Sequence, residues 1–91
     1  MNMTKIRAFL EAQGIEYSYD KGCIVIMLKK DCIWVNGFGE DMHYDKKICI
    51  SKNTYGDYIV GEVTGYSQGK KLYWGTKQSG VIEVLKNRLE V

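Results

Sequence analysis

The run of six apolar residues at positions 23–28 most limits how this chain can fold. The turn-forming residues Asp20-Lys21-Gly22 precede it, so the run predicts a β-strand. Side chains alternate along a strand, which places Ile24, Ile26 and Leu28 on one face and Cys23, Val25 and Met27 on the other. A sheet with one face in water shows apolar-polar alternation instead. We therefore expect either a sheet that curls into a partly closed barrel, or a second face that forms an interface.

Helical patterns stand at both ends of the chain. Residues 4–13 show apolar side chains at three- and four-residue steps, with Thr4 as the expected N-cap. Gly14 is predicted to adopt the left-handed conformation that ends a helix, with Ile15 making the accompanying apolar contact. A second helix, capped by Thr76 or Ser79, follows near the end of the chain. Its predicted apolar stripe is Val81, Ile82, Leu85 and Leu89.

The segment between the helices reads as short strands separated by turns. Strands are predicted at residues 15–19, 23–28, 32–35, 48–51, 58–64 and 72–74, with a turn at Lys29-Lys30-Asp31, a long polar connection over 36–45 and a turn over 65–70. The chain has no proline and no linker-like composition. We predict one compact α+β domain over residues 1–91, in which an antiparallel sheet of five or six short strands is flanked by an N-terminal and a C-terminal helix in two layers.

Several features indicate a protein of the cytoplasm. The N-terminal residues lack the apolar core of a secretion signal. The longest apolar run has six residues, against the roughly 20 that a membrane helix needs. Three cysteines without paired spacing do not form a disulfide framework. We expect a soluble, intracellular protein with no membrane partner.

The residues do not favour catalysis. A nucleophile needs a base beside it, and the one histidine, His43, lies in a polar segment. Each of Cys23, Cys32 and Cys49 stands next to isoleucine in a strand pattern, and buried thiols are poor nucleophiles. We expect all three thiols to be buried, reduced and slow to react. The prediction is a protein that is not an enzyme and carries no cofactor.

Two segments could hold a metal ion or a phosphate group. Asp41, His43 and Asp45 share one face if their segment is extended, which could provide ligands for a divalent ion; the alternative is a solvated hairpin tip. The glycine-rich stretch 61–71 lacks the spacing of a phosphate-binding loop and has Lys71 where serine or threonine is required. We predict no metal site and a hairpin turn in the glycine-rich stretch.

The second half of the chain could contact nucleic acid. The net charge is +2, with five basic and seven acidic residues over 1–45 and eight basic and four acidic residues over 46–91. The candidate residues for phosphate contact and base stacking are Tyr58, Lys70, Lys71, Tyr73 and Lys77. The strand-strand-helix order here resembles the closing half of double-stranded-RNA-binding domains and that of DNA-binding proteins that use a three-stranded sheet. The Ser-Lys-Lys signature of that family is replaced by Thr76-Lys77-Gln78-Ser79. The alternative is that these tyrosines fill half-buried strand positions and the lysines keep an edge soluble.

The composition favours recognition of another protein. Eleven of the 91 residues are aromatic, seven of them tyrosine, and such residues dominate protein-protein hot spots. The candidate contact residues are Val25, Met27 and Trp34, with a protein partner or a second copy as the expected occupant. We predict a small, non-enzymatic regulatory protein that acts through a protein-protein surface, of the kind found among phage and mobile-element accessory proteins such as inhibitors of host defence. The alternative is a nucleic-acid-binding domain.

Overall fold

The computed structural model describes residues 3–64 and 67–91, of which residues 67 and 68 are described by backbone alone. Five antiparallel strands form one sheet in sequence order, with a helix at each end of the chain. The elements are α1 (Thr4–Ala12), β1 (Ser18–Asp20), β2 (Cys23–Val35), β3 (Asp41–Lys52), β4 (Tyr58–Thr64), β5 (Ser67–Gly75) and α2 (Gln78–Leu89). The predicted α+β arrangement is confirmed.

The sheet is open, so the expectation of a partly closed barrel is wrong. Closure requires the two edge strands to pair with each other. Within residues 3–64 and 67–91, β1 has only three residues and pairs only with β2, while β5 pairs only with β4. An edge strand of three residues cannot supply the ladder that closes a barrel.

The core lies on the face of the sheet that both helices cover. Ile24 pairs with Ile50 and Ile26 with Ile48 across β2 and β3, and all four are almost fully buried. The helices and the remaining strands complete this cluster with Met3, Ile6, Leu10, Tyr58, Val60, Val81 and Leu85. Burying one such aliphatic side chain stabilises the fold by about 1.5–3 kcal/mol.

β2 continues through the segment that the sequence predicts as a turn. Lys29 and Cys32 both pair with β3, and the extra residues between Met27 and Cys32 are accommodated as irregularities in the ladder. Asp31 has a φ of 54°, and its N–H donates to Oδ1 of Asp45 at 3.1 Å. The Lys29–Asp31 segment is therefore a bulged stretch of one strand, because pairing with β3 satisfies more backbone groups than a turn would.

The connection predicted over residues 36–45 is a five-residue turn. Asn36 accepts hydrogen bonds at Oδ1 from the N–H groups of Phe38 (2.8 Å) and Glu40 (3.0 Å), and β3 begins at once with Asp41. The β3–β4 turn, Asn53-Thr54-Tyr55-Gly56-Asp57, repeats the pattern: Asn53 Oδ1 accepts from Tyr55 N–H and Asp57 N–H, both at 2.9 Å. Asparagine, glycine at positive φ and an acidic residue stand at the same places in both turns.

The predicted C-terminal end of α1 is observed, whereas its predicted N-cap is not. Gly14 adopts a φ of 70° and donates to Glu11 O at 3.1 Å, while Ile15 N–H donates to Leu10 O at 2.9 Å, so the predicted C-terminal motif is confirmed. At the start of α1, Thr4 lies inside the helix and makes no side-chain cap. The N–H groups of Lys5 and Ile6 instead donate to Oε1 of Gln78, at 3.0 and 3.2 Å.

α2 begins at Gln78, with Lys77 in the N-cap position and no side-chain cap. The predicted caps Thr76 and Ser79 are therefore wrong. Gln78 supplies an acceptor to two orphan N–H groups of the other helix, which ties the two helix starts together. The predicted stripe of α2 is confirmed, with Val81 and Leu85 buried and Ile82 and Leu89 packed against the core.

Two glycines flank the ring of Tyr73. A β-carbon added at Gly75 or at Gly80 would overlap the hydroxyl end of that ring. The ring therefore fills a slot between the end of β5 and the first turn of α2, and its hydroxyl lies 3.5 Å from Lys77 O. Moving away from one glycine brings the ring towards the other.

Gly80→Ala should destabilise the protein. Alanine in place of glycine inside a helix ordinarily stabilises by up to about 1 kcal/mol. Here the methyl group would push Tyr73 out of its slot, so we expect a net loss of about 1–2 kcal/mol. Urea unfolding measures the change, with Asn87→Ala, at an exposed position of α2, as the control. Combining Gly80→Ala with Tyr73→Leu should recover part of the loss; a Gly80→Ala variant as stable as the wild type would contradict the slot.

Glu62 and Arg88 form an ion pair between β4 and the last turn of α2. Arg88 Nη2 lies 2.8 Å from Glu62 Oε1, and Arg88 Nε donates to Oε2 at 3.2 Å. The hydrogen bonds from Arg88 lower the pKa of the Glu62 carboxyl below its usual value. The pair makes its full contribution to the free energy of unfolding above the pKa of the carboxyl in the unfolded chain, about 4.3. This contribution is lost as the pH falls through the lower pKa of the folded protein.

Glu62→Gln should therefore cost stability at pH 7 and less at pH 3. The Arg88 side chain is 39% exposed, so solvent screening limits the cost at pH 7 to less than about 1 kcal/mol. Urea unfolding of the wild type and the variant at both pH values measures the difference. Glu83→Gln, at an exposed position of α2, is the control, and an equal cost of Glu62→Gln at both pH values would contradict the pair.

Candidate functional site

The face of the sheet opposite the helices has an apolar centre and no covering layer among the described residues. Its side chains alternate with those of the core: Val25 pairs with Cys49, and Ile59 pairs with Trp74. We call this surface the open face; its apolar residues are Val25, Met27, Cys49, Ile59, Val63 and Trp74. Most are half-buried by their neighbours, whereas Met27 and Trp74 are 39% and 57% exposed.

Trp74 is fixed in place at one side of the open face. Its Nε1–H donates to Oδ2 of Asp57 at 3.1 Å, and the Nζ of Lys71 lies 4.2 Å from the centroid of its ring. A cation over an indole ring at this distance is attracted by the ring electrons. The tryptophan therefore presents a rigid apolar surface with a positive charge beside it.

A shallow pocket of about 200 Å³ lies on the open face, lined by Cys49, Ile59, Val63, Lys70 and Lys71 among others. Its depth comes from Gly61, which has no side chain at a position paired with both Cys49 and Lys71. Beside the pocket, the backbone of Gly69 packs closely against β4: a β-carbon at this position would overlap the carbonyl oxygen of Glu62. The pocket can hold one small apolar side chain of a binding partner.

The second exposed apolar group lies beyond the core. We call the paired segments 29–35 and 41–46, with the turn between them, the arm. It carries Ile33, Trp34, Val35 and Phe38, which are 57%, 51%, 62% and 90% exposed. Cys32 is the one buried residue of the arm, at 8% exposure. The helices lie against the opposite end of the sheet and leave these side chains in solvent.

The predicted contact residues do not all share a face. Val25 and Met27 lie on the open face, as the alternation predicts. Trp34 pairs with Met42, and alternation along β3 places Met42 on the helix-covered side with Ile48. Trp34 therefore lies on the opposite side of the sheet from Val25 and Met27, because the chain continues through residues 29–31 and does not turn back there.

The predicted metal-binding residues lie in a row. Asp41, His43 and Asp45 alternate along β3 and share one side of the arm, but residues two apart in a strand are about 6.6 Å apart, too far for three to surround one ion. Asp45 already accepts a hydrogen bond from Asp31. In the described part of the chain, no group of three His, Cys, Asp or Glu side chains could hold a metal ion.

The residues predicted for nucleic-acid contact are divided between the two sides of the sheet. Tyr58 is 5% exposed and belongs to the core, and Tyr73 fills its slot against α2. Lys70 and Lys71 are exposed on β5, and Lys77 is exposed at the start of α2. The two tyrosine rings therefore offer no platform for bases, whereas Trp74, next to Lys71, was missed because its strand reads as mixed aromatic and basic.

The three cysteines differ in environment. Cys32 is buried and Cys49 is half-buried, and burial raises the pKa of the Cys49 thiol. Cys23 is exposed, so the expectation that all three are buried is wrong. Cys23 begins β2 and pairs with Asp20 of the edge strand β1, and among the described residues it has no pairing partner in β3.

Comparison with known proteins does not assign the chain to a family. No protein-family model matches it, and no curated protein or solved structure shows significant similarity. Across the described residues, neither helix has the length and apolar character needed to cross a lipid bilayer.

Thiol labelling should follow these environments. In the native protein, we expect Cys23 to react first with a thiol reagent, Cys49 more slowly because of its raised pKa, and Cys32 only on unfolding. Mass spectrometry of the labelled peptides over time measures the order. Cys23→Ser should remove the fast phase and Cys32→Ser should leave it; rapid native labelling of Cys32 would contradict the packing of the arm.

Proposed function

We propose that this protein acts by binding another protein through the open face, without catalysis. The observation that carries the proposal is a sheet face with an apolar centre that no described element covers. Soluble monomers seldom leave such a surface exposed unless it binds something. A fixed tryptophan beside a shallow pocket is the arrangement that commonly dominates binding energy at protein interfaces.

The charges near the open face favour an acidic partner. Lys47 and Lys71 lie on this face, and Lys70 lines the pocket. Within β4 and β5, which carry most of the pocket and Trp74, the one acidic residue is Glu62; it pairs with Ile48, so its side chain is on the other side, where it binds Arg88. Asp57, in the turn before β4, already accepts the indole N–H of Trp74, and Asp41 and Asp45 lie on the arm. An apolar side chain flanked by carboxylates would match both the pocket and its surroundings.

A regulatory role follows from this mode of action. A small protein without catalytic groups changes the behaviour of its partner by occupying a surface. Inhibition of a host-defence protein by a phage or mobile-element protein is one such role, and the identity of the partner tests it.

Charge reversal on the open face tests the proposal. The wild type, Lys71→Glu and the matched control Lys5→Glu, at an exposed position of α1, are used as baits in an extract of the source cells. The recovered partner is then purified and its affinity for each bait measured by calorimetry. We expect Lys71→Glu to weaken binding about tenfold or more, which is about 1.4 kcal/mol, and Lys5→Glu to leave it unchanged.

The same baits decide between protein and nucleic acid. Fluorescence anisotropy with a single-stranded and a duplex oligonucleotide at two salt concentrations should show no salt-dependent binding. If three lysines bound phosphates, the log-log salt slope would be about −2 to −3. Binding with that slope, lost in a variant with alanine at Lys70, Lys71 and Lys77, would replace the proposal with nucleic-acid binding. A partner that binds Lys71→Glu as tightly as the wild type would also overturn it.

A further inference from the structure

Asn36 and Gly37 open the turn at the tip of the arm, and Asn36 is the one asparagine of this chain that a glycine follows. In such a pair, the backbone nitrogen of the second residue can attack the side-chain carbonyl carbon, Cγ, of the asparagine. A side chain on the second residue crowds the attacking nitrogen, and glycine has none. Asn36 is therefore the asparagine whose neighbour hinders this cyclisation least.

The attacking nitrogen of Gly37 is accessible. The residue is exposed, and a β-carbon built on it would meet nothing within 4 Å. Within the described part of the chain, no hydrogen bond engages the Gly37 N–H. The left-handed position of the turn belongs to Gly39, with a φ of 78°. The nitrogen of Gly37 can therefore move towards Asn36 without breaking a hydrogen bond.

Two backbone N–H groups hold the oxygen on which negative charge would develop. Oδ1 of Asn36 accepts from the N–H of Phe38 at 2.8 Å and from the N–H of Glu40 at 3.0 Å. When a nitrogen bonds to Cγ, the C=O bond becomes single and the charge collects on this oxygen. Paired N–H donors at such distances stabilise the oxyanion in acyl-transfer enzymes. The folded turn therefore polarises the Asn36 amide for attack.

We propose that Asn36 converts spontaneously to a mixture of aspartate and isoaspartate in the folded protein. The Gly37 nitrogen loses its proton to a solvent base and bonds to Cγ. The Cγ–Nδ2 bond breaks, and Nδ2 takes a proton from solvent and leaves as ammonia, so the chain holds a cyclic imide. Water then adds to either carbonyl of the ring and opens it, which gives aspartate or isoaspartate at position 36. The site lies apart from the open face and does not depend on the binding proposed there.

The β3–β4 turn is an internal control with the same hydrogen bonds. Asn53 Oδ1 accepts from the N–H groups of Tyr55 and Asp57, both at 2.9 Å. In each turn the Nδ2 of the asparagine lies 3.4 Å from the carboxylate of the last turn residue. After Asn53, however, the chain has Thr54, whose β-carbon is branched and crowds its own nitrogen. The proposal therefore predicts conversion at Asn36 and far less at Asn53.

The conversion would alter the turn that joins the two strands of the arm. Isoaspartate adds a carbon atom to the backbone and moves the acceptor away from the two N–H groups that Oδ1 now binds. Either product also places a carboxylate beside Glu40, whose Oε1 lies 3.4 Å from Nδ2 of Asn36, and like charges so close disfavour each other. Turn geometry fixes the register of a hairpin. The pairing of the arm should therefore loosen as the protein ages.

Peptide mapping of the full chain by mass spectrometry, during incubation at mildly alkaline pH, tests the proposal. Exchange of NH₂ for OH changes the mass of the peptide that carries the converted asparagine. We expect Asn36 to convert about tenfold or more faster than Asn53. The same measurement in urea separates the fold from the sequence. The native protein should convert Asn36 at least as fast as the unfolded chain, because only the folded turn holds Oδ1 between two N–H groups.

Exchanging the residues that follow the two asparagines completes the test. Gly37→Thr should slow conversion of Asn36 about tenfold or more, and Thr54→Gly should accelerate conversion of Asn53 by a similar factor. Circular dichroism checks that each variant folds, and the comparison of Asn36 with Asn53 in the wild type needs no substitution. Conversion of Asn36 no faster than that of Asn53, or slower in the native protein than in urea, would overturn the proposal.

Discussion

The burial of four isoleucines between β2 and β3 is the constraint on which the rest of the fold depends. Ile24 with Ile50 and Ile26 with Ile48 form directly opposed pairs in the middle of the sheet, with essentially no exposure. Both helices lie on the side where these pairs project, and their apolar stripes join the isoleucines in one buried cluster. That choice leaves the other side of the same strands without a layer.

The lengths of the two helices determine how much of the sheet they cover. α1 has 9 residues and α2 has 12, so they are about 14 and 18 Å long. The molecule is 45 Å long. Two short helices can cover the centre of one face, where Val81 and Leu85 meet the sheet, and cannot reach the arm. Both the open face and the exposed arm are therefore left uncovered because the chain has only two short helices among its described residues.

The parts of the fold that the sequence predicts are those decided locally. The helical stripes, the left-handed Gly14 and the alternation of residues 23–28 each depend on residues within one turn or one strand. Lys29-Lys30-Asp31 has the composition of a turn, and only its pairing with a distant strand shows that it is a bulge. The first half of β3 does alternate, with Met42 and Tyr44 between Asp41, His43 and Asp45, but its many charged residues are typical of a loop and hide this signal.

The candidate site was predictable in part for the same reason. Val25 and Met27 follow from alternation within one strand, whereas the placement of Trp34 depends on whether the chain turns at residue 30. Gln78 as the partner of the Lys5 and Ile6 N–H groups has no local signal. The repeated asparagine–aromatic–glycine–acid turn does have one, since both copies can be read in the sequence once the spacing is compared.

The separation of the arm from the core also affects how the protein can change over evolution. Ile33, Trp34, Val35 and Phe38 lie outside the core cluster, so exchanging them leaves that cluster intact. Substitutions of this kind usually alter the free energy of unfolding by less than about 0.5 kcal/mol. These side chains can therefore change without first having to preserve the fold. Sequence change should accumulate along the arm while the opposed isoleucines stay constant.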